Sequence, residues 1–481
     1  MNLQEKNAQL LEELIEGVDR GDFQYDDKIP VKYTYEHLTA LFCYANQLDG
    51  GKELYQQLYT YARQAGILAV KEKFSRGETV KITFLAISAA EWPADELYRI
   101  LEQDNRFDVS VTNVPLTDRN IDDRTMTYEQ NKRFFEGRGY RILDTYSVSE
   151  DKVYTWEELG EIPDIVVHLT YWQESLPESY RISNFPFRYV NLYIPYSFNV
   201  ENSASGQFLY NTSCNNAFFN IVGRAYMNTK LDVERYQEYQ LLQGQNIVYS
   251  GYAKMDYFYQ EHTFEEADIR RIWKIPAQAD ARKIKKVIIA PHHSFLGYAG
   301  LIFSTFAKNA HFWIYLAQKY QDQIAFVFKP HPNLRLRSVE AGVFKNSAEY
   351  DAYIEKWNAL PNAKVITEDS YLELFATSDA MIMDSLSFIA EYMYADKPLL
   401  YLTRPEQIFS ELGKKCLSAY CKAEGSDYMA IEKFIIDTVI NGNDELKEHR
   451  KKAFSDALDY VSDNGCSASE YIYKDLYKIF I

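Results

Sequence analysis

No apolar run in the 481 residues approaches the roughly 20 that a membrane-spanning helix requires. Cysteine is scarce. Cys43, Cys214, Cys416, Cys421 and Cys466 are scattered, and the nearest pair, Cys416 and Cys421, lacks the spacing of a zinc knuckle or a redox CxxC. Basic residues are outnumbered, with 52 Lys and Arg against 69 Asp and Glu and a net charge of −17. A protein that neutralises nucleic-acid phosphates needs a basic face, so that class is excluded, although a local basic site is compatible with the total. The opening stretch, MNLQEKNAQLLEELIEG, is charged and heptad-like and has no secretory h-region, so a cytoplasmic protein is expected. Tandem repeats and low-complexity segments are also lacking.

What is present is an ordinary soluble composition, 47% hydrophobic and 25% charged, on a chain too long for one hydrophobic core. The 40 tyrosines stand out. Their flat rings and hydroxyls suit sugar or polyol contacts, but core and interface packing is the stronger reading. Residues 1–75 carry apolar residues at three- and four-residue spacing and read as helices, broken at Asp49–Gly51. Strand and helix patterns then alternate. VKITFLAIS (80–88), FDVSVTNVP (107–115), PDIVVHLTY (163–171), RYVNLYIPY (188–196), AFFNIVG (217–223) and NIVYSG are expected strands. PAQADARKIKK (276–286) reads as a linker, after which the alternation restarts with KVIIA, QIAFVF, AKVITED, DAMIMDS and KPLLYLT as strands. LSFIAEYMYAD is an expected helix, and the tail from 428 is helical. The expected fold is α/β, with two Rossmann-like doubly wound domains facing a cleft: helices at 1–75, a first domain at 76–275, a second at 276–427, and terminal helices at 428–481. Ligands of such sheets sit at the carboxyl ends of the strands.

Three loops of the second half follow strand ends: APHHS (290–294), KPHP (329–332) and DSLSFIAEY (384–392). Lys329 and His331 place a cation and a titratable imidazole in one turn that the prolines stiffen, as a general acid or base requires. His292 and His293 supply two more imidazoles, and Ser294 closes their loop. Ser385 and Ser387 begin an expected helix, where hydroxyls and backbone N–H groups hold a phosphate; a plain N-cap is the alternative. Glu391 lies one to two turns on, among apolar neighbours where an unpaired carboxylate is costly, so it is expected to accept hydrogen bonds from a ribose diol. Asp384 reads as a cap. Metal ligation by the histidines and Asp384 is the rival, but adjacent histidines point differently and no HxxxH or HxH spacing occurs, so no metal ligand is assigned. In the first half, Trp92, Tyr193, Tyr196, Ser197, Lys254 and Asp256 occupy loops at strand ends and are weak signals singly.

The ordered set WPADELYRIL, YIPYSF, GYAKMD, APHHS, FKPHP and SDAMIMDSLSFIAEYMYADKPLLYL resembles the CDP-glycerol glycerophosphotransferase family, the teichoic-acid and capsule-type polymerases and primases of the GT-B fold. The resemblance covers about residues 80–480 and is strongest at 378–402. It implies transfer of a polyol phosphate from a CDP-activated donor to a hydroxyl of a lipid-linked or polymeric acceptor, with release of CMP. It places the donor on the second domain: His331, with Lys329, on the pyrophosphate or as acid, Ser385 and Ser387 on phosphate, and Glu391, an aspartate in many relatives, on ribose. The implied catalytic set is His331, His292 and His293, with Lys329, Ser294, Ser385, Ser387 and Glu391 binding the donor. No cofactor is required, a divalent cation is left open, and a peripheral membrane contact at the cytoplasmic face is expected. Two departures matter. Where many relatives carry an HGT signature with the acceptor base, this chain has YIPYSF; where they carry an APTWR-like loop, it has APHHS. The base could come from His292, His293 or His168. A GT-B glycosyltransferase using a nucleotide sugar, or a non-catalytic nucleotide-binding protein, are the alternatives.

Overall fold

The computed structural model describes residues 2–23, 32–203, 213–297, 300–367 and 371–481. The chain folds into two compact units. The first comprises Met1–Ser197, Cys214–Asp256 and Tyr460–Ile481, and the second Phe198–Ser213 and Tyr257–Asp459.

In the first unit, seven strands form one sheet: β1 (Val80–Ala86), β2 (Phe107–Asn113), β3 (Ile142–Asp144), β4 (Ile165–His168), β5 (Val190–Tyr193), β6 (Arg224–Met227) and β7 (Ile247–Tyr249). Their order is β3-β2-β1-β4-β5-β6-β7, and every pairing is parallel. Strands such as β4 and β5 are buried along their whole length, which is why they read as near-continuous apolar runs and not as alternating ones. Helices α1 (Leu3–Arg20), α2 (Tyr35–Tyr44) and α3 (Gly51–Ser75) join this unit's core. α1 begins at a capping box made by Asn2 and Glu5 and ends at Gly21 in the left-handed region, φ 78°. Leu14, Leu38, Leu41, Tyr55 and Tyr59 bury against Phe185, Phe187 and Phe219. The Tyr55 hydroxyl donates to the carbonyl of Asn220, and that of Tyr59 to Val222 at 2.9 Å. Buried tyrosines elsewhere do the same, with Tyr98 donating to Val109 and Tyr353 to Ala310, so packing accounts for much of the tyrosine content.

The second unit repeats the plan with six parallel strands: β8 (Lys285–Ala290), β9 (Ile324–Phe328), β10 (Ala363–Val365), β11 (Ala380–Met383), β12 (Leu399–Thr403) and β13 (Cys421–Glu424). The order is β10-β9-β8-β11-β12-β13. The direction of winding reverses between β8 and β11, the topological position at which doubly wound sheets take their ligands. Both units are therefore doubly wound α/β layers, as expected.

Several local expectations are corrected. AFFNIVG is not a strand. Ala217–Ile221 form a helix because the Asn216 side chain caps it, accepting from the Phe219 N–H at 3.0 Å. The strand lies beyond Gly223, as β6. The expected helix at 386–396 is only an α-turn, Phe388–Glu391, continued by a 3-10 turn, Tyr392–Ala395. AKVITED is a strand only over Ala363–Val365, which pair with Phe326–Phe328, and its Glu368 and Asp369 lie outside the described residues. The tail divides: residues to Asp459 stay with the second unit, while Tyr460 onward belongs to the first. There the buried Asp256 carboxylate accepts from the Tyr460 hydroxyl at 2.7 Å and from the N–H groups of Ala468 and Ser469 at 2.8 and 2.9 Å. It thereby caps the last helix, Ala468–Phe480, whose Ile472, Leu476 and Phe480 enter the core beside Val80 and Val109. Among the described residues, no helix is long and apolar enough to cross a membrane.

Candidate active site

The three loops of the second unit start from one level. Ala290 is in register with Met383, and Ile289 with Phe328, so β8, β9 and β11 deliver APHHS, KPHP and DSLS to the same border of the sheet. Asp384 fixes that border. Its buried carboxylate accepts from the His292 N–H at 2.6 Å, from the Thr305 hydroxyl at 2.8 Å and from the Thr305 N–H. Burial pushes its pKa up to about 6 despite these donors. Asp384 is thus the tie between the first loop, residue 305 and the third loop, which goes beyond the local cap the sequence suggested.

The imidazoles converge. Ring centroids of His292 and His293 are 4.4 Å apart, those of His293 and His331 3.9 Å, and those of His292 and His331 5.4 Å. The expectation that adjacent histidines point apart is therefore corrected: the loop folds so that both rings meet His331. Each ring is held near neutral form. Burial lowers His292 and His331 well below the ordinary range, with the neighbouring imidazole charges adding to the effect, and lowers His293 to about 4. The Ser294 hydroxyl lies 2.8 Å from His292 Nδ1 and accepts from the Phe303 N–H at 3.0 Å, so Ser294 is engaged inside its own loop.

Potential ligand atoms of the three histidines lie within 4.8 Å of one another, a spacing that could surround a cation. The outer partners oppose that use. A metal-bound imidazole normally donates its second N–H to an acceptor. Here His292 Nδ1 receives the Ser294 N–H at 3.3 Å, and His331 Nδ1 receives the Asn333 N–H at 3.1 Å. Those contacts put the single proton of each neutral ring on Nε2, as a donor. Among the described residues, the cations Lys329 and Arg337 act on His331 and His293 respectively.

Lys329 is 9% exposed, and its Nζ lies 5.8 Å from the Tyr371 ring centroid. The Tyr371 hydroxyl donates to Glu391 Oε2, and Glu391 is 1% exposed. One line of side chains thus runs from the imidazoles through Lys329 and Tyr371 to Glu391. Ser385 and Ser387 lie on the loop between Asp384 and Glu391, and their hydroxyls make no hydrogen bond to the described residues. Ser387 makes no N-cap bond, and the α-turn it opens is too short for a substantial dipole, so any hold on phosphate falls to the hydroxyls.

The first unit's loops divide differently. Trp92 is core, packed on Phe84 and Phe135 with its Nε1 donating to Asp95. His168 is sealed in the sheet: its Nε2 meets Asn191 Oδ1 at 3.1 Å, its ring stacks on Phe185, and burial lowers it to about 4. Tyr193 is buried, and Tyr196 accepts from the Trp172 indole at 3.1 Å. One group was missed by sequence reasoning. Glu91, in the 3-10 turn Ala89–Glu91 after β1, has an Oε2 cut off from solvent and without a hydrogen-bond partner among the described residues, and burial raises its carboxyl to about 7 against the opposing charges of Lys254 and Arg119. Lys254 Nζ donates to the Ala90 carbonyl at 3.1 Å. The sequence signal was slight: an acidic residue directly after the first strand, within AEWP.

No protein-family model and no curated protein matches the chain. Solved structures do. A variant of the wall teichoic acid polymerase TagF superposes with a TM-score of 0.52 at 10% identity, covering 98% of each chain. TagF itself gives 0.51 at 10% identity over 99% of each. The S. aureus MnaA–UDP structure gives 0.48 at 14% identity, over 84% of this chain and 98% of that one. The TagF likeness is one of fold, GT-B, and it extends through residues 1–75, which the motif resemblance had left outside.

Proposed function

We propose that the protein is a GT-B transferase that moves a polyol phosphate from a CDP-activated donor to a hydroxyl of a lipid-linked or polymeric surface-glycan acceptor, releasing CMP. The observation that carries this reading is the convergence of Lys329, His331, Ser385 and Glu391 on one sheet border at the reversal of strand order, where a nucleotide diphosphate fits chemically. Lys329 and the imidazole N–H groups face the diphosphate, the serine hydroxyls a phosphate oxygen, and Glu391 the ribose diol. Phosphoryl transfer asks for positioning and charge neutralisation more than for covalent help, and a lysine among donors supplies both. The teichoic acid polymerase among the structural neighbours supports the polyol phosphate over a sugar. A peripheral contact with the inner face of the membrane belongs to the same reading.

Incubation with CDP-glycerol, CDP-ribitol and a panel of sugar nucleotides, followed by assay of the nucleotide released, tests it. CMP from a CDP-polyol is expected. UDP or GDP from a sugar nucleotide would instead establish a glycosyltransferase, and absence of both binding and turnover a non-catalytic protein.

A further inference from the structure

The helix Tyr428–Phe434 and the π-helical Ile435–Ile440 that continues it, both in the second unit, are apolar on two sides. Ile431, Phe434, Ile435 and Val439 enter that unit's core. On the opposite side Met429 is 84% exposed, and Ile436 and Tyr428 are 41 and 40% exposed. Residues 429, 432–433 and 436 recur at helical spacing and form one outward stripe. The helix Phe306–Lys319 widens it. Its Phe312 ring stacks on Tyr428 with centroids 4.3 Å apart, and on Tyr315, itself 48% exposed, at 5.9 Å. Contiguous apolar surface of this kind marks a contact with another molecule.

The charges on this face select the occupant. Glu432 Oε1 accepts from Lys319 and, at 2.6 Å, from the Tyr320 hydroxyl. Among the described residues, Glu432 Oε2 and the Lys433 ammonium enter no hydrogen bond or ion pair. Lys308, Lys319 and Lys433 stand beside Glu424, Asp427, Glu432 and Asp437, so the lysines are not in excess. An anionic bilayer holds a chain of net charge −17 only through a basic excess, which makes it the poorer occupant. We propose that this face is a two-fold docking surface for a second copy of the chain, with the two stripes laid antiparallel. With the axis between residues 432 and 433, Met429 falls opposite Ile436 of the second copy and Glu432 opposite its Lys433, and the symmetry repeats both pairs. Glu432 Oε2 then gains the cation it lacks. Tyrosine, phenylalanine and methionine are the residues that interface cores favour, and a thioether adapts to an aromatic surface. Over the rest of the surface two acidic copies repel, so a face with balanced charge is where they meet. The surface is independent of the donor reading, which stands whether or not the copies pair.

Sedimentation equilibrium of the full-length protein from about 1 to 100 µM tests it, since the dimer fraction follows concentration. The wild type is expected to pass from monomer to dimer within that range. Met429→Glu, which would bury an unpaired charge twice in each dimer, should weaken the association by about a hundredfold or more. The register has its own test. Lys433→Glu alone sets glutamates against glutamates, and Glu432→Lys alone sets lysines against lysines, so each should be monomeric. Mixed in equal amounts they should pair as a heterodimer, because every facing pair is then of opposite charge. These side chains lie on the surface of the second unit, and circular dichroism of each variant confirms its fold. A wild type that stays monomeric throughout would overturn the proposal, as would a dimer indifferent to Met429→Glu. Failure of the two charge variants to pair on mixing would overturn the antiparallel register. A monomer that binds phosphatidylglycerol vesicles, and loses them on Met429→Glu, would overturn it in favour of a lipid surface.

Discussion

Glu391→Ala is expected to reduce turnover with the CDP donor by about ten- to hundredfold, because a charged acceptor facing a diol contributes roughly 1.5–3 kcal/mol. The loss should be carried by donor affinity, since in the proposed donor pose the carboxylate holds the nucleoside and does not touch the transferred phosphoryl. Two features make the effect legible. Glu391 is 1% exposed and tied to Tyr371, so its removal changes a preformed acceptor and not a mobile surface side chain. It also lies away from the imidazole cluster, with Tyr371 and Lys329 between them, so pyrophosphate affinity should be nearly unchanged in the variant. His331→Ala should show the opposite pattern, weakening pyrophosphate and CDP together and lowering turnover at least about tenfold, or roughly 1.4 kcal/mol. Steady-state kinetics with paired titrations of CDP and pyrophosphate separate the two. Near-normal turnover in both variants would remove Glu391 and His331 from the site.

The second large effect concerns stability. Asp384→Ala leaves two buried backbone N–H groups and the Thr305 hydroxyl without their acceptor. At about 1–3 kcal/mol for a stranded buried donor, partly offset by removal of a costly buried charge, the net loss is about 3 kcal/mol. Its dependence on pH has a definite sign. With the carboxyl raised from 3.8 to about 6, the folded chain binds the proton more tightly than the unfolded chain. The wild-type advantage over the variant is therefore largest near pH 4, shrinks as pH rises toward 6, and is constant above. Urea unfolding of both proteins at pH 4.5 and 7.5 checks it; an advantage that grew with pH would contradict the buried, proton-favouring carboxylate. The same variant should lose CDP binding, because the loop bearing His292 and His293 hangs from Asp384.

The parts of the fold that were legible in the sequence were those where one physical signal dominates. Both sheets were read from apolar runs such as VKITF and IAFVF, since a strand buried on both faces has few polar residues. The reading failed where signals compete. AFFNIVG has aromatic and β-branched content for a strand, yet Asn216 in front of it caps a helix, and the true strand begins with the polar Arg224. The return of residues from Tyr460 to the first unit has no local signature. It depends on Asp256, two hundred residues upstream, accepting the N–H groups of Ala468 and Ser469.

The candidate site shows the same division. Lys329, His331, Ser385 and Glu391 could be named because each follows a strand end, and parallel strands deliver their ends to one edge. The meeting of His292 and His293 with His331 could not, because it turns on how a five-residue loop is pinned, and the pin is an aspartate that looked like a cap. Outside that site, Glu91 of the first unit was invisible for a related reason: only the enclosure of its Oε2 distinguishes it from any surface glutamate of this acidic chain.

A structure of the protein with CDP bound tests the central claim most directly. The diphosphate should lie within hydrogen-bond distance of Lys329 and His331, with a ribose hydroxyl donating to Glu391. A nucleotide seated elsewhere on the second unit, with the Tyr371–Glu391 bond and the imidazole cluster untouched, would contradict it.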